Sequence, residues 1–352
     1  MKREINLVCD KEHMDERAQI TEQTMIPLAD YLDKLMITRE KGNDAIRAYR
    51  IRNFLRTKLN GISLIKLSKI TKINYKNIQN WLCNSKRDVG IPIEELVEIS
   101  TILGVSREML FNETKYFGGT NTKKYKLPRC ITPKFAYLLG YIMGDGHLAN
   151  PSDKISNGSM YNAEIRITTN ERHHLEYLQK IFVELFGYKP PLFKEKEFYR
   201  LIGRSKVVHR FLDKICGIPT GNKKEKTVIP KIISGNKVLE RYFLSGFFDS
   251  DGSVVFANGK IRGLRIKQHN KKILEQCYEV LKVTGIESVG IYTDNGLRNN
   301  KITYGYVLAI QNQRDIKKFI DNFYSIKIQE KVQLMDEKPK HIAIIPDGNK
   351  SD

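Results

Sequence analysis

Cysteine is sparse. The five in the chain, Cys9, Cys83, Cys130, Cys216 and Cys277, are odd in number and widely scattered. None stands in a Cys-x-x-Cys pair, which argues against a zinc module and against a disulfide framework and fits a reducing cytosol. No apolar run approaches the length of a bilayer span, so no membrane partner is expected. Met1–Asp10 carries Lys2 and Arg3 but lacks the pattern of a signal peptide. No Gly-x-x-x-x-Gly-Lys loop and no supported Ser/His/Asp set is present. Acidic residues are also short: 40 Asp and Glu stand against 60 Lys and Arg, giving a formal net charge of +20 and a pI near 9.6. Such a balance points to a polyanionic partner, because neutralising phosphates supplies most non-specific affinity for nucleic acid. A merely soluble basic protein is the plain alternative. A hydrophobic content of 41% suffices for packed cores, and 352 residues leave room for two or three domains.

The shortage of acid is sharpest between Ile46 and Arg87, which holds eleven Lys or Arg and no Asp or Glu. Regular apolar positions thread this run. Ser63 predicts a cap for a helix over Leu64–Thr71, Lys72-Ile73-Asn74 a turn, and Tyr75–Cys83 a second helix with Ile78, Trp81 and Leu82 inward. A further helix is predicted at Ile93–Leu103, then Arg107–Phe111. Two short helices joined by three residues fit a helix-turn-helix. A basic helical bundle that only packs on the rest of the chain is the alternative. Residues 1–45 have no assigned role, although Ile26–Met36 can form a short amphipathic helix. Residues 116–132, with glycines, a proline and weak periodicity, read as a linker.

The remainder repeats itself. Leu138–Gly146 reads Leu-Leu-Gly-Tyr-Ile-Met-Gly-Asp-Gly, and Leu244–Gly252 reads Leu-Ser-Gly-Phe-Phe-Asp-Ser-Asp-Gly. Gly140 and Gly144, like Gly246 and Ser250, are four apart and share a helix face. Small residues there let two helix backbones approach. Parallel packing would bring Asp145 and Asp251 together where the helices end, and the glycines that follow are expected to leave the helix in left-handed conformation. Two such carboxylates repel each other and the helix dipoles. Oxygen ligands with open positions suit Mg²⁺, which would relieve that repulsion and support phosphodiester hydrolysis.

After each run the same order follows. The first half predicts strands around Tyr161–Thr169 and across Leu192–Gly203, with helices Arg172–Phe186 and Val207–Ile215. The second predicts strands around Val254–Phe256, Gly263–Gln268, Ser288–Thr293 and Ile302–Ile310, with helices Lys272–Thr284 and Asp315–Phe323. Each half is αββαββα, so a pseudo-twofold α+β domain is expected. Alternation along the strands turns Ile165, Ile167, Leu264 and Ile266 towards the helices and Arg166, Thr168, Arg265 and Lys267 to the outer face, with Gln268 and Gln311 nearby. His173 and His174, being adjacent, are expected on different sides of their helix, at the surface.

On these residues both runs resemble the motif of the LAGLIDADG, or DOD-type, homing endonucleases. Leu244, Gly246, Asp249, Asp251 and Gly252 match in one copy; Leu138, Gly140, Ile142, Asp145 and Gly146 match in the other, where Met143 replaces the earlier acid. The resemblance covers about 133–335, with halves at about 133–230 and 238–335, and two copies in one chain resemble the monomeric members. It implies a site-specific double-strand DNA endonuclease that cuts across the minor groove, leaving 3′ overhangs. It implies Asp145 and Asp251 as catalytic metal ligands, with Gly144 and Ser250 beside them at the metal, Mg²⁺ or in its place Mn²⁺. The earlier acidic position is more structural in the family. A lysine near the metals is placed at Lys224, with Lys223 next, and at Lys327, with Gln329 as competitor. The sheets would dock as a saddle in the major groove, so Arg166, Thr168, Arg265 and Lys267 become DNA contacts. Residues 55–110 resemble the Cro and lambda-repressor type, which adds Tyr75, Lys76, Asn77, Gln79 and Asn80 as groove contacts and a small all-α helix-turn-helix domain at 46–115. The expected partner is double-stranded DNA and the expected setting the cell interior. A regulator or RNA maturase that kept the fold without cleavage is the alternative. A free-standing enzyme is expected rather than an intein, because splicing signals are not recognisable. In the tail, 336–352, Pro339–Asn349 looks like the opening active-site motif of cis-prenyltransferases, without a domain to support that activity.

Overall fold

A computed structural model describes residues 32, 34–35, 45–84, 89–119, 123–151, 163–287, 289–298 and 301–336. Most of the helix expected at Ile26–Met36 and the motif at Pro339–Asn349 lie outside the described residues, although Leu32 and Leu35 are described and buried. No helix among the described residues is long and apolar enough to cross a membrane.

The N-terminal region opens with β1 (Arg47–Tyr49) and α1 (Arg52–Thr57). Then come α2 (Leu64–Thr71), started by the Ser63 hydroxyl, which accepts from the Lys66 amide at 3.2 Å, and α3 (Tyr75–Leu82), started by Asn74 in the same way on Lys76 at 2.9 Å. Side-chain acceptors satisfy amides that the first helical turn leaves unpaired. Lys72, at φ +57°, turns the chain between them. α3 buries Ile78, Trp81 and Leu82, as its spacing predicts. Next are β2 (Ile91–Pro92), α4 (Ile93–Ile102), α5 (Arg107–Glu113) and β3 (Tyr116–Gly118).

The all-α expectation for this region needs correction. β1, β2 and β3 form a three-stranded antiparallel sheet in the order β2-β1-β3. The expected linker also carries structure. Tyr116–Gly118 is a strand, Tyr125 exchanges backbone hydrogen bonds with Phe117 at 2.8 Å, and the Arg129 guanidinium lies 4.0 Å over the Phe111 ring.

The first half then runs α6 (Pro133–Asp145), β4 (Gly146–Leu148), β5 (Glu164–Thr169), α7 (Arg172–Phe186), β6 (Leu192–Glu195), β7 (Phe198–Arg204) and α8 (Lys206–Arg210), which continues as a π-helical turn to Ile215. The second runs α9 (Lys237–Asp251), β8 (Gly252–Ala257), β9 (Lys260–Gln268), α10 (Lys271–Val283), β10 (Val289–Arg298), β11 (Lys301–Ile310) and α11 (Gln313–Asn322). A last helix, α12 (Ile326–Asp336), follows. The sheets have one topology, β4-β5-β7-β6 and β8-β9-β11-β10. Their registers correspond as well: Gly146 faces Ile167 as Gly252 faces Ile266, and Thr169 faces Tyr199 as Gln268 faces Tyr306.

Ile165, Ile167, Leu264 and Ile266 are buried, while Arg166 and Thr168 are half-exposed and Arg265 and Lys267 exposed. Thr132 caps α6, its hydroxyl accepting from Phe135, and Asn236 caps α9 through Val238 and Leu239. Every α6 residue from Phe135 to Met143 is buried. A helix apolar all round belongs in an interior, and α6 lies there beside α9.

Candidate active site

The small residues decide how close α6 and α9 come. A Cβ built on Gly140 would stand 2.0 Å from the Phe243 carbonyl oxygen, and one on Gly246 would stand 2.0 Å from that of Tyr137. The contacts are reciprocal, and both glycines meet backbone, which cannot yield. One turn on, a Cβ on Gly144 would meet the Ser250 hydroxyl and, at 2.8 Å, an oxygen of Asp251. The helices therefore run in parallel and bring Asp145 and Asp251 to one place.

The glycines that follow do not take the left-handed conformation expected of them. Gly146 and Gly252 leave their helices extended, at φ −80° with ψ 158° and 159°. The requirement is space: a Cβ would stand 2.6 Å from the Ile142 carbonyl oxygen or 2.4 Å from that of Phe248. Each chain thereby passes straight from helix into the strand β4 or β8.

Two lysines close the site in matching ways. Lys223 Nζ donates to the carbonyls of Ile142, at 3.0 Å, Gly144 and Gly146. Lys327 Nζ donates to those of Ser250, at 3.3 Å, and Gly252, at 2.6 Å. Cations at the C-terminal ends of helices meet carbonyls that have no partner in the helix. Lys224, placed by sequence in this role, is exposed, and its backbone amide hydrogen-bonds the Asn222 side chain. Lys223 takes the position because the turn after Gly221 is aperiodic and gives no signal of which neighbour points inward.

Burial, and after it the charge of Asp251, pushes the Asp145 carboxyl up to about 7, against the pull of Lys327 and Lys223. Burial also raises Asp251, opposed by Lys223, Gln268 and Lys327. Burial pulls Lys223 down to about 8 and lowers Lys327, while the carboxylates oppose both shifts. Gln268, read by sequence as facing outward, donates its amide to Asp251 Oδ2 at 2.5 Å.

Asp249 has a different task. It is buried and accepts from the Tyr137 hydroxyl at 2.8 Å, the Ser325 hydroxyl, and the amides of Ile326 and Lys327 at 2.8 and 3.2 Å. It thereby ties the start of α12, and Lys327 with it, to α9. Burial raises its carboxyl to about 6, with those four donors opposing. Met143 holds the corresponding place in α6, also buried, and has no comparable acceptor.

Of the remaining residues singled out by sequence, Tyr75, Lys76, Asn77, Gln79 and Asn80 are all exposed on α3. Arg166 pairs with Glu164 at 3.2 Å, and Lys267 pairs with Asp294. The two histidines depart from expectation. His174 is buried, and both imidazoles turn towards Glu330 of α12.

Two segments, 132–216 and 239–324, match the family model described as a LAGLIDADG-like domain, so the chain carries two such domains. The similar solved structures include the homing endonuclease I-DmoI in complex with DNA and Ca, at 23% identity over 58% of this chain and 97% of that one, with a TM-score of 0.41. The N-terminal LAGLIDADG domain of WhiA is 17% identical over 58% of this chain and 86% of that one, with a TM-score of 0.36. Among curated proteins, the replication factor C small subunit of Methanocaldococcus jannaschii is 26% identical over 319 residues, 87% of this chain. The DNA polymerase of Acanthamoeba polyphaga mimivirus is 27% identical over 212 residues, 59% of this chain. The matched stretches span 15% and 11% of those two proteins.

Proposed function

We propose that the two LAGLIDADG-like domains of this chain form a metal-dependent DNA endonuclease that hydrolyses both strands of a long recognition site. The observation that carries the reading is the convergence of Asp145 and Asp251, each flanked by a lysine, at the end of one tightly packed helix pair. A purely structural pair of buried carboxylates would hold a carboxyl near 7 without return. Such perturbed groups gather at functional sites.

The residues present fit a hard divalent cation. Their donors are oxygens, and the mutual repulsion of the carboxylates is what a cation would remove. Asp145 and Asp251 would hold Mg²⁺ or Mn²⁺, with Gly144 and Ser250, whose carbonyls accept from Lys223 and Lys327, beside them. A bound ion of this kind supplies a polarised phosphoryl oxygen and an activated water. Lys223 and Lys327, fixed on the helix-end carbonyls, place positive charge where charge develops on the phosphate.

In this reading 133–335 is the nuclease and 46–115 a DNA-anchoring domain. Arg166, Thr168, Arg265 and Lys267 face the duplex, and the exposed Tyr75, Lys76, Asn77, Gln79 and Asn80 of α3 add contacts. The acid-free basic run supports this, as does the +20 net charge. The test is plasmid cleavage in Mg²⁺ with a library of candidate sites. Discrete double-strand cuts that vanish in Asp145→Asn and Asp251→Asn are expected. Tight, salt-sensitive binding with no cut in Mg²⁺ or Mn²⁺ would replace the nuclease with a binding protein.

A further inference from the structure

We propose that His173, His174 and Glu330 form a second metal site, for a zinc-class transition ion, that clamps α7 to α12. One ligand atom from each of the three lies within 4.8 Å of the others. Neighbours on a helix usually diverge, yet the two imidazole centroids are only 4.7 Å apart, with the rings nearly perpendicular at 89°. His173 Nε2 meets Glu330 in an ion pair, and His174 Nε2 stands 3.8 Å from the same oxygen.

The decisive atom is His174 Nε2. The residue is 1% exposed, and this nitrogen has no hydrogen-bond partner among the described residues. Leaving a buried polar atom unpaired is destabilising. The His173–Glu330 ion pair explains two members of the cluster and leaves that atom without purpose; an ion between the three explains all of them. The other ring nitrogen, Nδ1, lies 3.1 Å from the Tyr141 hydroxyl. A ligand histidine is commonly oriented by such a hydrogen bond on its far side, which leaves Nε2 for the metal.

Donor chemistry selects the ion. Two imidazoles and one carboxylate suit Zn²⁺ or Co²⁺, whereas Mg²⁺ takes oxygen ligands. Zinc-to-nitrogen bonds of about 2.0–2.1 Å require only small side-chain adjustments from the present separations. His173 and Glu330 keep 33% and 24% of their side-chain surface exposed, which gives an ion a route in and a water a fourth position. Glu330 is one helical turn from Lys327, so the clamp would fix the helix that carries that lysine. The inference does not depend on the nuclease reading.

The test is titration of the EDTA-treated, desalted full chain with CoCl₂, followed by visible absorption. One equivalent should give the intense visible bands of a four- or five-coordinate site, displaced by Zn²⁺ and untouched by excess Mg²⁺. Glu330→Gln and His173→Gln, both at partly exposed positions, should weaken Zn²⁺ binding at least about tenfold and abolish the zinc-dependent rise in Tm. Asp145→Asn and Asp251→Asn should keep the cobalt spectrum. Absence of a spectrum, its survival in Glu330→Gln and His173→Gln, or its loss in the aspartate variants would overturn the proposal. X-ray absorption of the wild-type zinc complex decides the matter should a variant not fold: imidazole scattering supports the site, and thiolate scattering overturns it.

Discussion

The Asp249 carboxylate accepts from two hydroxyls and two backbone amides, all in the interior. Asp249→Ala would leave those donors with nothing. Urea denaturation should show a loss of about 3 kcal/mol or more, since each buried orphan costs about 1–3 kcal/mol. Asp145 acts through its ionisation. Its carboxyl is raised from 3.8 to about 7 in the folded chain, so the fold binds the proton more tightly than the unfolded chain does. That contribution is complete below pH 3.8 and is lost as pH rises through about 7. In EDTA, Asp145→Asn should therefore be more stable than the wild type at pH 8, and the gain should shrink towards pH 4. A gain independent of pH would place its cause outside this ionisation. At this scale the sequence is informative where a residue acts through its own spacing, as Asp145 and Asp251 do. It is silent where the partner is remote: Asp249 meets Lys327 from 78 residues away, and the buried His174 meets the hydroxyl of Tyr141, which belongs to another helix.

At the scale of elements, the helix pair is set by backbone against backbone. Gly140→Ala and Gly246→Ala each press a methyl against a carbonyl oxygen at 2.0 Å. Overpacking typically costs about 1–3 kcal/mol, and these two substitutions should fall at or above the top of that range in denaturant melts. Gly144→Ala meets chiefly the Ser250 side chain. Adding Ser250→Gly should recover most of its loss, and the double-mutant cycle should show strong coupling. α6 and α9 were legible because small residues four apart and a terminal Asp-Gly are local signals. α7 was legible in full, and α2 and α3 were legible from the Ser63 cap and from the Lys72-Ile73-Asn74 turn between them. β1 was not: three residues long, it is defined by Ile91–Pro92 and Tyr116–Gly118, more than forty positions away. α12 was missed because the carboxylate that anchors its start lies in α9.

At the scale of the whole molecule, the excess of 20 positive charges predicts DNA binding that falls steeply with salt. A logarithmic plot of the association constant against salt should flatten by about one unit of slope for each phosphate-contacting cation removed. Lys76→Ala and Arg265→Ala should each do so, one in the N-terminal region and one on β9. An unchanged slope would remove that residue from the interface. The pseudo-twofold plan was legible as a repeat, but its imperfection has a consequence of its own. Lys327 rides on a helix whose start Asp249 anchors at three points, Ser325, Ile326 and Lys327, whereas Lys223 sits in a turn-rich segment, and Met143, at the place in α6 that corresponds to Asp249, offers it no such anchor. For the proposed reaction the consequence is one of timing. The two strand breaks would not coincide, the half with the anchored lysine would act first, and a singly nicked circle would rise and decay before the linear product accumulates.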